Sequence, residues 1–267
     1  MRRRLDAELL RRGLVSSRTE AQEAIRGALV SVSGMTILKP SSMVGPDDPI
    51  VLGGQVREFV SRGGKKLSAA LEGFGLDPAG LRCLDAGAST GGFTDCLLKA
   101  GATAVIAVDV GYGQLDWLLR NDDRVTVMER TNVRNLLPSD LAFEPELVVA
   151  DLSFISLRTV IPALVGLGGP GATFVFLIKP QFEAGRGLVG DGGVVSDPGV
   201  WRDVVRSVIA ALAEAGAPAT GIMASPVRGP AGNVEFLVAA VEGGSVTDLD
   251  VGVDSAIADG LALREGA

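Results

Sequence analysis

The sequence predicts an α/β protein: a doubly wound, mostly parallel sheet with helices on both faces, preceded by a small α+β module. Three observations carry this. From residue 61 onward, strand-like and helix-like segments alternate, the pattern of repeated βαβ units. The strands are near-continuous apolar runs such as "TFVFLI", as expected of strands buried on both faces. Among them lies one glycine-rich turn, "DAGASTGG" at residues 85–92. Such a turn lets the backbone take positive φ, and the helix after it aims free N–H groups at the same space.

Each element has its own reason. Residues 1–54 read as the small module. "RLDAELLRRG" puts Leu5, Leu9 and Leu10 on one helical face, with Gly13 as its stop. Ser17 and Glu20 open a second helix as a capping box, with Ala21, Ala24 and Ile25 turned inward. Short strands follow in "LVSVSG", "SSMVG" and "PIVL". Residues 55–60, "QVREFV", form a linker whose Phe59 and Val60 suit docking rather than dangling.

Residues 61–267 form the large domain. A helix over 65–76 leads to a strand over 82–87 and a helix over 93–101. Strand 104–110 precedes helix 113–120, and strand 124–130 precedes an irregular segment. Strand 147–154 precedes helix 156–167; strand 173–180 precedes a glycine-rich loop and helix 197–214. "ATGIMASPV" and "VEFLVAAV" are two late strands, close enough in sequence to pair antiparallel. Residues 160–178 carry no charge and have the length of a membrane span. Pro162 and the Gly168–Gly171 cluster instead divide them into helix, turn and strand.

Composition narrows the function. The chain has no histidine, which removes His triads, His metal sites and His general bases, and no metal is expected. Its two cysteines, Cys83 and Cys96, suit a reducing compartment rather than a disulfide framework. "MRRRLDAELLRRG" is basic, but no apolar core follows it as in a secretory signal. A cytoplasmic protein without stable membrane association is expected. The net charge of −7 hides an asymmetry. Residues 1–66 hold 12 Lys/Arg against 7 Asp/Glu, a net of +5; residues 67–267 hold 13 against 25, a net of −12. Arg4, Arg11, Arg12, Arg18 and Arg26 lie in the basic module, the last four on exposed helical positions. They form either a phosphate-binding face or a solvated one.

The glycine-rich turn reads D-x-G-x-x-x-G-G, not the dinucleotide fingerprint G-x-G-x-x-G. It either approaches a ligand or packs helix on strand. Asp109 ends the next strand, 24 residues after Asp85, where a carboxylate binds both ribose hydroxyls of a nucleoside or caps the strand. Together these favour S-adenosylmethionine over a dinucleotide.

The strand ends add Asp151, Lys179 and Glu235, and the helix before the first strand adds Lys65 and Lys66. Three of the chain's five lysines thus cluster at one sheet edge. They form either a reactive site or a structural salt bridge, since charges beside apolar strands are seldom left without partners. Methylation of a base carbon needs a cysteine nucleophile, and neither cysteine lies at this edge. Methylation of a base amine favours an Asn/Asp-Pro-Pro-aromatic turn, whereas this chain has "DLSF". A hydroxyl target needs a base, and a lysine serves when a second lysine lowers its pKa.

These residues resemble the TlyA family, historically called haemolysins and understood as rRNA cytidine 2′-O-methyltransferases. "RLDAELLRRGLVSSRTEAQEAI" is similar to the start of an S4 RNA-binding domain. "SRGGKKL", "LDAGASTGGFTD", "DVGYGQL", "RTNVR", "ADLSFISL", "KPQFE" and "GNVEF" are similar to the motifs of an FtsJ-like catalytic domain. The resemblance implies a Rossmann-like class I methyltransferase sheet with an antiparallel last strand. It implies a K-D-K-E tetrad at Lys66, Asp151, Lys179 and Glu235, in which Lys179 deprotonates or orients the ribose 2′-hydroxyl and the others position it. It implies an S-adenosylmethionine site at Asp85, Gly87, Ser89, Gly91, Asp109 and Asn132, and ribosomal RNA in 30S or 50S subunits as partner. Both ends of the chain look complete, which in that family suits a range over both subunits. Phe59 stands where relatives often carry tryptophan, and Lys65 is a rival for the base's role. Three other classes make different demands. A membrane-active cytolysin needs a secretion signal or a strong amphipathic basic helix, and a non-catalytic assembly factor needs a degraded tetrad. A nicotinamide dehydrogenase needs the missing G-x-G spacing.

Overall fold

The structure is a computed structural model that describes residues 2–53 and 58–266. Residues 54–57, the expected end of the first domain and half of the expected linker, lie outside them. The chain divides into two compact units, Met1–Val60 and Ser61–Ala267.

In the first unit, β1 (Arg3–Arg4) leads into α1 (Leu5–Arg11) and α2 (Arg18–Arg26), followed by β2 (Val30–Val32), β3 (Met35–Thr36), β4 (Met43–Val44) and β5 (Ile50–Leu52). β3, β2 and β5 form one antiparallel sheet, and β1 pairs with β4. Leu5, Leu9, Ala21, Ala24, Ile25, Val30 and Val44 share its core. Leu10 differs from expectation: it is exposed, because Leu5 and Leu9 already fill the inner stripe of a two-turn helix and position 10 lies about 100° round from position 9. The capping box forms by half. Ser17 Oγ accepts from Glu20 N at 3.1 Å, but the Glu20 carboxylate turns to the N–H and hydroxyl of Ser16 at 2.7 and 2.6 Å. Phe59 is buried.

The second unit is built on seven strands. α3 (Arg62–Phe74) precedes β6 (Arg82–Ala86), α4 (Gly92–Lys99), β7 (Ala104–Val108), the single turn α5 (Trp117–Arg120) and β8 (Val125–Met128). β9 (Leu147–Ala150), α6 (Leu157–Leu167), β10 (Thr173–Ile178), α7 (Pro180–Glu183) and α8 (Pro198–Glu214) follow, then β11 (Ala219–Ala224), β12 (Phe236–Val241) and α9 (Asp250–Glu265). The strand order is β11-β12-β10-β9-β6-β7-β8. Its members are parallel except β12, which runs antiparallel between β10 and β11. β9 is buried along its whole length, as is β10 after its first residue, so the apolar runs are strands covered on both faces. From β6 the chain winds outward to β8, then returns to lay β9 against the other side of β6. The gap beyond the carboxyl ends of β6 and β9 is therefore the topological switch point, where open α/β sheets hold ligands.

Some elements are shorter than the sequence predicts. The strand expected over 147–154 ends at Ala150, and the helix expected over 113–120 spans only Trp117–Arg120. Asp116 caps that turn by accepting from Leu118 N at 2.9 Å, which starts the helix there. Pro162 lies inside α6 rather than ending it; Val160, Ile161, Leu164 and Leu167 bury the helix on both sides of it. α9, not foreseen, buries Val253, Ala256, Ile257 and Gly260. Among the described residues no helix is long and apolar enough to cross a membrane.

Candidate active site

Two cavities adjoin at the switch point and share Gly87, Ser89, Asp151, Ser153 and Phe154. One, of about 440 Å³, is bounded by Asp109, Gln114, Asn132 and Arg134. The other, of about 530 Å³, is bounded by Arg62, Lys66, Lys179, Gln181, Phe182 and Glu235.

The first cavity is shaped by the turn after β6. Gly87 has φ +84°, and a Cβ there would lie 2.6 Å from the carbonyl oxygen of Asp151. Only glycine lets the ends of β6 and β9 come this close. Gly91, at φ +95°, would drive a Cβ into Leu119. It lines neither cavity; its bare α-carbon lets the start of α4 approach Leu115 and Leu119. Asp85 lies behind the turn. It is fully buried, lines neither cavity, and accepts from Thr94 Oγ1 at 2.6 Å. Its other oxygen has no hydrogen-bond partner. Burial, aided by the nearby Asp151 and Asp109 charges, pushes its carboxyl up to about 7, against the hydroxyl of Thr94.

Ser89, Asp109 and Asn132 do line this cavity. Asp109 accepts from Ser89 N at 2.8 Å and Gly111 N at 2.6 Å, which folds two loops around the cavity edge. Asn132 is exposed and accepts from Arg134 N at 3.1 Å.

In the second cavity the four charged candidates meet. Lys66 Nζ donates to Glu235 Oε2 at 2.5 Å, and both side chains are buried. Lys179 Nζ stands 2.5 Å from Asp151 Oδ1 and donates to Ser153 Oγ at 2.9 Å. Burial raises the Glu235 carboxyl above its ordinary value, against the pull of Lys66 and Lys179. Its Oε1 has no hydrogen-bond partner. Lys65, the expected rival, is exposed and lines neither cavity. α3 turns one lysine inward and its neighbour out, as consecutive helical positions must. Both cysteines are buried, and burial pushes the Cys83 thiol up to about 12, which removes it as a nucleophile.

Sequence reasoning missed Ser153 and Phe154, which both cavities share. Phe154 is 92% exposed and holds φ +65°; its ring lies 5.2 Å from that of Phe182. The signal lies in "ADLSFISL", where Ser153 and Phe154 follow Asp151 after one residue.

The arginines of the first unit are largely paired. Arg4 donates to Asp6 at 2.8 Å, and Arg18 approaches Asp6 at 3.4 Å. Arg11 and Arg12 donate to Glu8 at 2.6 and 2.8 Å. Arg12 is not on an exposed position. It is half-buried, and it also donates to the carbonyls of Asp48, Gly45 and Pro46 at 2.8, 3.2 and 2.8 Å, which clamps that loop. Arg26 is exposed and donates to Gln22 at 3.4 Å. The Arg4 guanidinium holds the Asp6 carboxyl down to about 2, and Arg11 with Arg12 holds Glu8 at about 2.

The strand order, the antiparallel β12 and the lysine–carboxylate cluster at the switch point define the class: a Rossmann-like methyltransferase. The FtsJ-like methyltransferase family matches residues 59–241, and the S4 domain family matches residues 3–50. The chain belongs to the FtsJ-like methyltransferase family, with an S4 domain at its N-terminus. It is similar to the 16S/23S rRNA (cytidine-2'-O)-methyltransferase TlyA of Mycobacterium tuberculosis, at 52% identity over 89% of each chain. It is similar to Hemolysin A of Brachyspira hyodysenteriae, at 38% identity over 88% of this chain and 98% of that one. The solved structure of a candidate hemolysin from Streptococcus thermophilus is 36% identical, with a TM-score of 0.78, and covers 99% of this chain and 98% of that one.

Proposed function

We propose that the protein transfers a methyl group from S-adenosylmethionine to the ribose 2′-hydroxyl of cytidine in 16S or 23S ribosomal RNA, acting on ribosomal subunits in the cytoplasm. The observation that carries this reading is Lys179, held by Asp151 and Ser153, two residues that face both cavities. A group gripped in this way acts on an atom lying where the two cavities meet.

The first cavity suits the cofactor. Gly87 leaves its floor bare of side chain, and Asp109 has lone pairs left after its two backbone bonds. Ser89, Asp109 and Asn132 would hold the nucleoside, with Gly87 admitting it. Asp85 would act from beneath, by fixing the turn through Thr94. When bound, S-adenosylmethionine supplies an electrophilic methyl group.

The chain's own residues do the rest. Lys179 takes the 2′-hydroxyl proton or orients that hydroxyl, with Nζ fixed by Asp151 and Ser153. Lys66 and Glu235 form a second, more deeply buried pair, and Glu235 Oε1 offers an acceptor to a donor that the ribose brings. Positioning supplies much of the rate, with proton transfer worth about 10²–10⁴-fold. Exposed loop nucleotides suit this cavity, because A-form grooves hide base identity and the target must leave its stack. Arg4, Arg11, Arg18 and Arg26 would contact phosphates, with Arg12 holding their scaffold.

The test incubates the purified protein, or a Lys179→Ala variant, with tritiated S-adenosylmethionine and unmodified 30S and 50S subunits. Label in 2′-O-methylcytidine that vanishes in the variant is the expected result. Label retained in the variant removes Lys179 as the base. No label on either subunit, with cofactor binding intact, overturns the RNA substrate.

A further inference from the structure

We infer that Glu183 is a positioning residue for methyl transfer: from behind the site it fixes the separation between the segment carrying Asp151 and Ser153 and the segment carrying Lys179. This rests on the ribose-methylation reading above.

The need for such a device follows from the sheet. β9 and β10 are paired only as far as Ala150 opposite Phe176. Asp151 lies just beyond that last pair, and Lys179 follows Ile178, which is still paired, but with Phe236 of β12, so no β9–β10 pair ties the two segments at the level of the site. Asp151 N still bonds back, but to Ala86 on β6 at 3.1 Å, not to β10. On the cavity side, the segments are joined by the groups the reaction uses, Lys179 with Asp151 and Ser153. That contact fixes Nζ relative to Asp151 and Ser153, but it spans only the tips of the side chains and leaves the backbones of the two segments untied.

On the far side, Glu183 joins them independently. Its carboxylate accepts from Ser156 Oγ at 2.5 Å and from Leu157 N at 2.5 Å, and Arg158 Nε approaches at 3.3 Å. Arg158 Nη2 also donates to the Glu183 carbonyl at 3.0 Å. The Glu183 side chain is 1% exposed. Ser156, at the N-cap of α6, makes no cap bond of its own, so the free N–H at the start of that helix is satisfied from the neighbouring segment. A buried carboxylate is costly without such donors; here all of them come from the Asp151 segment.

Between the two ties sits Phe154 at φ +65°. A non-glycine residue stays in that region only where its surroundings over-determine it. The loop from Asp151 to Leu157 is anchored at its start by β6 and at its end by Glu183, which meets that condition. Glu183 touches no reacting atom; it acts through Asp151, Ser153 and Lys179.

Two measurements on Glu183→Ala and Glu183→Gln test this. The first is the single-turnover rate of 2′-O-methylation with saturating cofactor and subunits, beside subunit affinity. A displacement of about 1 Å in a reacting group costs on the order of 10²-fold. The rate should fall about 10- to 100-fold in the alanine variant, with affinity within about twofold and the rate partly rescued by glutamine, which keeps one acceptor. The second is amide hydrogen exchange of the ligand-free protein. Exchange in residues 151–157 should rise about tenfold or more in the alanine variant, with β6–β8 unchanged. A wild-type rate in a variant that melts at lower temperature, or unchanged exchange in 151–157, makes Glu183 a helix cap and nothing more. If the wild type methylates neither subunit, the ribose reading falls, and the exchange result alone decides whether Glu183 ties the two segments.

Discussion

Two pairs of buried carboxylates, one in each unit, are treated in opposite ways. Asp6 and Glu8 in the S4 unit are ringed by guanidinium groups, and their carboxyls are held far below the usual range. Asp85 and Glu235 in the catalytic unit each keep an oxygen without a partner, and burial raises their carboxyls. The first arrangement is a finished structure, in which charge is neutralised at the point of folding. The second leaves an oxygen open on each: Glu235 lines a cavity, where a bound ligand can complete it, whereas Asp85 lines neither and is relieved by holding its proton up to about pH 7. An arginine-rich surface can thus be partly scaffold, while the sparse lysines of an acidic domain mark its chemistry.

That contrast can be broken most severely at Lys66. Lys66→Met strands Glu235 in the interior and should cost about 3–5 kcal/mol by urea denaturation. Lys66→Met with Glu235→Leu should recover most of that stability while remaining inactive. Recovery of activity as well would make the pair structural.

Asp85 gives the next largest effect. Its folded carboxyl, at about 7, is raised from 3.8. Its contribution is therefore fully present below about pH 4 and is lost as pH rises to about 7, on the order of 4 kcal/mol. The catalytic unit should lose stability between about pH 4 and 7, and Asp85→Asn, whose amide oxygen still accepts from Thr94, should flatten that dependence.

The S4 unit should show the reverse sign. Asp6 and Glu8 are depressed to about 2, so their contribution is present above about pH 4 and fades as pH falls through about 2. Far-UV circular dichroism of residues 1–60, followed from pH 5 to 2, reads this out if the segment folds alone. In the full chain, Asp6→Asn should cost about 1 kcal/mol, because its arginines are half exposed and screened.

The smallest change sharpens the contrast from the surface. Arg26→Ala should alter stability by less than about 0.5 kcal/mol. It should also lower the salt slope of RNA binding by about 1, the mark of one phosphate contact.

What was legible in the sequence follows from how unevenly signals are written. Apolar runs such as "TFVFLI" stand out because parallel strands are buried on both faces, and a charge at the end of such a run has few structural excuses. Lys66, Asp151, Lys179 and Glu235 were therefore readable, and the structure brings all four to one cavity. The glycine turn was ambiguous, since a glycine beside a ligand and one beside Leu119 look alike in one dimension. Gly87 lines both cavities, and Gly91 packs against Leu119. Arg12 was hidden for a similar reason: its partners are three backbone carbonyls more than thirty positions away. α9 escaped because its inward face is mainly Val253, Ala256, Ile257 and Gly260, too slight an apolar stripe to register. Phe154 escaped because no local pattern announces a left-handed aromatic.

The insertion of β12 between β10 and β11 sets the order in which this enzyme comes into being. Lys66 and Glu235 are 169 positions apart, and Glu235 lies just ahead of the last strand to leave the ribosome. Until that strand threads into place, β10 has an open edge on one side and β11 has no partner at all, a state prone to wrong pairing. Closing the sheet and completing the lysine–carboxylate cluster are thus one event. A protein cut short before residue 235 would carry the glycine turn and Lys179 but not the carboxylate that pairs with Lys66.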